Sequence, residues 1–179
     1  GLSICAALTS GVLTALAFPK FDFSVLAWVS LIPLFFVLAR SRPVHAFRYG
    51  LLGGLGFYGV LLYWIPAVPA RFGEMSVPLS FLVYIVFILF LALFWAFFGL
   101  AFAKVRASFP RAAYIAAPFL WVAFEYALTF ILTGFPWGLL GYSQYRNTPF
   151  IQLAAWTGVY GISFVLILLQ STFVLAMTR

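Results

Sequence analysis

One carboxylate and one short polar segment stand out from an otherwise lipid-like sequence. Glu125 sits deep inside the apolar run 112–132. A charged side chain there costs about 2.5–3.5 kcal/mol even on lenient insertion scales, so Glu125 must face a protein interior and be neutral or paired. It either holds a polar headgroup or orients the loop above it, or else it is an acid hydrogen-bonded to a neighbouring Tyr or Ser. The segment just beyond it, Thr133-Gly-Phe-Pro-Trp137 followed by Gly141-Tyr-Ser-Gln144, crowds glycine, proline, indole, phenol, hydroxyl and amide into about a dozen residues. Non-helical backbone near a bilayer is tolerated only where it packs in protein or lines a wet cavity, so this reads as a built site.

The residue types in that segment suit a lipid headgroup. Pro136 fixes its own φ and pushes Phe135 towards extended geometry, which predicts that the preceding helix ends near Thr133. Trp137 and Tyr142 are interfacial rings, with the ring in acyl chains and the N–H or O–H among headgroups. Ser143, Gln144, Arg146 and Asn147 add neutral donors and one cation, fit for phosphate or ester oxygens. Tyr63-Trp64-Ile65-Pro66, running to Arg71-Phe72-Gly73-Glu74, has the same character. The two segments are expected to face each other across one outer cavity, with Arg71 and Glu74 an exposed, energetically minor pair.

Other chemistry is not written here. Cys5, the one cysteine, has no base in its run and is read as a buried, inert thiol. Ser143 has no histidine on its side of the membrane, because His45 belongs to an opposite turn. One histidine and three carboxylates do not assemble a typical metal site.

The elements that must position these residues follow from composition. The 179 residues are 66% hydrophobic and 7% charged, with a mean hydropathy of +1.15. A soluble domain carries about a quarter charged residues, so lipid is the solvent. The sequence predicts an all-α integral membrane protein, a polytopic bundle of about six transmembrane helices forming one domain over 1–179. Its apolar runs are 2–18, 23–39, 47–68, 77–103, 112–132 and 150–177, with the external motif segment at 133–147. Ala15-Leu16-Ala17 resembles a signal-peptidase site, but the next span follows so directly that a retained first helix is the better reading.

Basic residues set orientation. Arg40, Arg42, Arg48, Lys104, Arg106, Arg111 and Arg179 fall on one side, against Lys20, Arg71 and Arg146 on the other. This predicts a cytoplasmic N-terminus and Arg179, with the motif segment external. The net charge of +7 is spread over the ends of apolar runs and forms no nucleic-acid patch. Gly50 and Gly54 form a small-xxx-small pair for close helix packing. The aromatics of the fourth span, from Phe81 to Phe98, are expected to face lipid.

These residues resemble the apolipoprotein N-acyltransferases of bacterial envelopes. The strongest stretch is Ala117-Pro-Phe-Leu-Trp121, Glu125, Leu132-Thr-Gly-Phe-Pro-Trp137 and Gly141-Tyr-Ser-Gln144; weaker support comes from Phe21-Asp22, Pro33-Leu34, Gly56-Phe57, Trp64, Phe72-Gly73 and Gly158-Val159 with Phe164. One departure is Tyr126-Ala-Leu-Thr129, where the family often has an arginine, which removes an expected ion-pair partner of Glu125. The resemblance implies an inner-membrane enzyme that moves an acyl chain from a phospholipid donor to the N-terminal amine of a diacylglyceryl apolipoprotein acceptor, with no cofactor. It also implies that catalysis belongs to a nitrilase-like domain whose Glu, Lys and Cys are absent here. No catalytic residue is therefore assigned, and the chain reads as a membrane fragment that anchors the enzyme and docks lipid. Trp64, Glu125, Phe135, Trp137, Tyr142, Ser143 and Gln144 are the candidate substrate-binding residues. Two other readings stay open: a six-helix substrate-binding subunit of a vitamin transporter, and a catalytically dead scaffold.

Overall fold

Proline marks where helices begin, because its missing N–H is one of the unpaired donors of a first turn anyway. In a computed structural model that describes residues 1–178, it occupies the first turn of α2 (Ile32–Ala39), α3 (Pro43–Leu61), α5 (Val77–Ser108) and α7 (Thr148–Ile151). The remaining helices are α1 (Leu2–Leu16), α4 (Ala67–Phe72), α6 (Ala112–Leu128) and α8 (Ala154–Met177), and the described residues contain no strand. Two of these helices, α5 and α8, are long and apolar enough to cross a membrane. The cytoplasmic placement expected of Arg179 lies outside the described residues.

The apolar runs and the helices differ in instructive places. The run 23–39 is not one helix: Ser24–Trp28 forms a 3₁₀ turn, the chain breaks, and α2 begins at Ile32. Pro33 cannot donate, and its ring crowds the carbonyl four residues back, so a continuous helix is blocked at this point. The freed groups are bonded by side chains from two neighbouring helices. Gln170 of α8 accepts from Leu31 N at 2.7 Å and donates to Ala27 O at 3.0 Å, while Ser10 Oγ of α1 accepts from Leu34 N at 2.9 Å. The run 47–68 likewise divides into α3 and α4, and the run 112–132 stops helically at Leu128. The run 150–177 contains a break at Gly158, with φ +64°.

Packing is sequential. α3 lies between α1 and α5, α5 packs on α6, and α6 on α8; α2 touches α1, α3, α5 and α8 and closes the arrangement. It buries Leu34, Phe35 and Leu38, and Phe35 meets Phe98 and Phe102 of α5 edge-on. An aromatic chain runs through the centre, from Phe57 to Trp95 at 5.2 Å and from Trp95 to Trp121 at 5.0 Å. The aromatics of α5 therefore divide: Phe81 and Phe97 point outward, whereas Trp95 and Phe98 are core. Cys5, expected to be buried, lies exposed on α1.

Pro118, inside α6, leaves the Tyr114 carbonyl without its helical partner. Ser171 Oγ of α8 donates to that carbonyl at 2.8 Å. A neighbouring hydroxyl thus pairs the carbonyl that the proline leaves free.

The glycines of α3 serve packing within the chain. A Cβ on Gly54 would meet Ala92 Cα at 2.8 Å, whereas one on Gly59 would meet nothing within 4 Å. Gly54→Ala should therefore destabilise the fold by about 1–3 kcal/mol through overpacking. Gly59→Ala should be neutral or stabilising by up to about 1 kcal/mol, from helix propensity. Unfolding of the two variants in detergent micelles measures this; equal stabilities would refute the packing assignment.

Candidate functional site

The motif segment leaves α6 through a turn that ordinary residues avoid. Leu132, Thr133 and Gly134 have φ of +52°, +74° and +83°. Left-handed geometry is unfavourable for leucine and more so for β-branched threonine, so the turn is strained and must be held from outside. Phe135 N donates to Leu128 O at 2.9 Å, closing it onto the end of α6.

Beyond Trp137 the backbone turns inward. Gly138 has φ +85°, and a Cβ there would meet Phe57 Cε1 at 3.2 Å, so the position needs glycine twice over. Leu139 and Leu140 are buried beneath it. Here Glu125 acts. Its Oε1 accepts from Leu140 N at 2.7 Å and from Trp121 Nε1 at 2.9 Å. The carboxylate binds the re-entering backbone from below, and its Oε2 has no hydrogen-bond partner among the described residues. The residue also lines a small cavity of about 20 Å³ with Tyr58, Trp95, Trp121 and Leu139.

Three further side chains fasten the segment. Ser163 Oγ of α8 accepts from Gly141 N at 2.9 Å. Ser143 Oγ donates to Leu140 O at 2.7 Å and is fully buried. Gln144, also buried, accepts from Trp28 Nε1 at 3.0 Å and donates from Nε2 to Ser24 O at 2.8 Å, tying the motif to the 3₁₀ turn. Among the described residues the ion pair joins Asp22 to Arg146, and Arg71 and Glu74 do not pair.

What this scaffold presents is an open cleft of about 660 Å³. One wall is Pro136, Trp137, Gly138 and Tyr142, and a second is the end of α3 with Tyr63 and Trp64. Phe18 to Phe21 form a third. Trp64 and Trp137 approach with ring centroids 5.6 Å apart; Trp137 stacks on Phe135 at 5.5 Å, and Phe135 meets Phe87 edge-on. Trp64 and Trp137 remain 37% and 53% exposed, so their faces are free to contact a ligand. Lys20 contacts the Tyr63 hydroxyl and lies 3.8 Å from that ring's centroid, which places a cation at the mouth.

The seven candidate residues thus fall into two layers. Trp64, Trp137 and Tyr142 line the cleft, and Phe135 backs Trp137. Glu125, Ser143 and Gln144 lie below, bonded to backbone and indole groups, and do not line it. Lys20 and Tyr63 were not among the candidates. Lys20 counted in the sequence only as an orienting charge, although its place beside Pro19 and Phe21 in an external turn was a usable signal.

Residues 10–172 match the sequence model of the family described as "Apolipoprotein N-acyltransferase N-terminal domain". The chain is 43% identical over 164 residues to the apolipoprotein N-acyltransferase of Geobacter metallireducens, covering 90% of this chain and 31% of the relative. It is 38% identical to that of Coxiella burnetii, covering 96% and 36%, and 34% identical to that of Pasteurella multocida, covering 88% and 29%. The chain spans about a third of the length of these curated relatives.

The two layers respond differently to substitution. Glu125→Ala orphans two buried donors at roughly 1–3 kcal/mol each, so unfolding stability should fall by about 3 kcal/mol. Glu125→Gln keeps an acceptor oxygen and should lose less than half as much. Thermal unfolding followed by tryptophan fluorescence decides this; equal losses in both variants would mean that the carboxylate is not serving as the loop's acceptor.

Proposed function

Because the chain belongs to the apolipoprotein N-acyltransferase family, we propose that it is the membrane part of such an enzyme and docks its lipid substrates. The reading has a bilayer-embedded bundle of about six spans, with α1 starting on the cytoplasmic side of a bacterial inner membrane and the motif segment outside. The donor is a phospholipid and the acceptor a diacylglyceryl apolipoprotein. Acyl transfer itself belongs to the portion of the longer relatives that these residues do not cover.

The observation that carries this is the cleft walled by Trp64, Trp137 and Tyr142. Its volume suits a section of acyl chain with its ester region. Its aromatic rings have an apolar face for the chain and N–H or O–H groups for ester and phosphate oxygens. The strained turn and the buried hydrogen bonds to Glu125 and Gln144 hold the indole wall rigid, so little ordering cost falls on lipid binding. Glu125, Ser143 and Gln144 therefore act as positioning residues, and Phe135 as the support of Trp137.

In the full-length protein, Trp64→Ala with Trp137→Ala should raise KM for a phospholipid donor about 10-fold, the scale set by losing apolar contact with two rings. The rate at saturating lipid should stay within about twofold. Acyl transfer from labelled phospholipid to a diacylglyceryl peptide in mixed micelles reads both numbers. Wild-type KM in the double variant would reject the cleft as the docking site.

A further inference from the structure

A second cavity, of about 850 Å³, lies between the ends of α2, α5 and α8 and the start of α6. Arg40, Arg106 and Arg111 line it, together with Leu175 and Met177. It is remote from the cleft. Tyr84 of α5 bonds the end of α3 beside the cleft, through Gly59 O at 2.8 Å. Arg106 follows 22 residues later on the same helix, roughly 33 Å at 1.5 Å per residue.

The three arginines come from three different elements, and no acid answers them. The 179 residues contain three carboxylates. Asp22 pairs with Arg146, Glu125 holds Leu140, and Glu74 precedes α5 at its far end; none lines this cavity. Arg106 is fixed by a hydrogen bond from Nη2 to Ser41 O at 3.0 Å, and its Nε is buried with no partner among the described residues. A buried donor left unpaired is costly. Guanidinium groups match phosphate oxygens in a two-pronged geometry, and basic pockets between membrane helices take anionic headgroups.

We propose that this cavity binds the phosphodiester headgroup of an anionic membrane lipid, with Leu175 and Met177 against its glycerol and first methylenes. Arg40 and Arg111 reach the phosphate from the exposed rim, and Arg106 from the floor. The site rests on the bundle being embedded in a bilayer, and it is independent of the docking role of the aromatic cleft.

The test titrates short-chain phosphatidylglycerol into detergent-solubilised full-length protein and counts bound lipid by native mass spectrometry. Arg40→Gln with Arg111→Gln leaves the Arg106–Ser41 bond intact and removes two exposed charges. It should weaken phosphatidylglycerol binding on the order of 30-fold, the combined effect of two basic side chains near a membrane surface. Binding of phosphatidylcholine of the same chain length should change less than threefold. Arg40→Lys with Arg111→Lys, which keeps the charge and loses the fork, should fall between. Arg71→Gln at the opposite end should bind like wild type. Unchanged phosphatidylglycerol affinity in the double Gln variant overturns the proposal. Displacement of the lipid by millimolar inorganic phosphate also overturns it, by making the cavity a site for free anions.

Discussion

The fold turns on one carboxylate. A backbone that leaves a helix inside an apolar interior exposes N–H groups that its surroundings do not satisfy, each costing several kcal/mol. Glu125 Oε1 meets that constraint by accepting from both Leu140 N and Trp121 Nε1. Ser163 Oγ extends the same solution to Gly141 N, and Gln144 anchors the segment to Trp28 and Ser24 O of the 3₁₀ turn. With these bonds in place, the strained Leu132–Gly134 turn has nowhere to relax, and Trp137 is held opposite Trp64. Remove the acceptor and the wall loses its foundation.

The same rule governs the break at residues 29–31. There the acceptors and donors are Gln170 and Ser10, from two different helices. Because Gln144 bonds both Trp28 and Ser24, the interrupted segment and the motif segment support each other. Among the buried polar side chains, Glu125, Ser143, Ser163, Gln144 and Gln170 all pair backbone outside the α-helices.

Much of this was legible in the sequence, and the failures have physical causes. Hydropathy located the apolar runs, and the Gly-Phe-Pro-Trp and Gly-Tyr-Ser-Gln segments marked the built region. Hydropathy does not register where a helix breaks, because the broken stretch Val29–Leu31 is as apolar as its flanks; only Pro33 signalled it. Nor does composition say which way a polar group points. Ser143 and Gln144 look like headgroup donors beside Trp137, but their hydrogen bonds go to the protein. Lys20 shows the reverse error: a residue valued for its charge alone stands over Tyr63 at the mouth of the cleft.

The pairing of Pro118 with Ser171 has an evolutionary corollary. Each residue is a defect alone. A proline without the hydroxyl strands a carbonyl, and the hydroxyl without the proline has lost its reason to be there. A lineage that replaced Pro118 by alanine would restore the internal bond of α6 and free position 171 to drift towards Ala or Val. The two positions should therefore be inherited as a unit, changing together across relatives although 53 residues of sequence separate them.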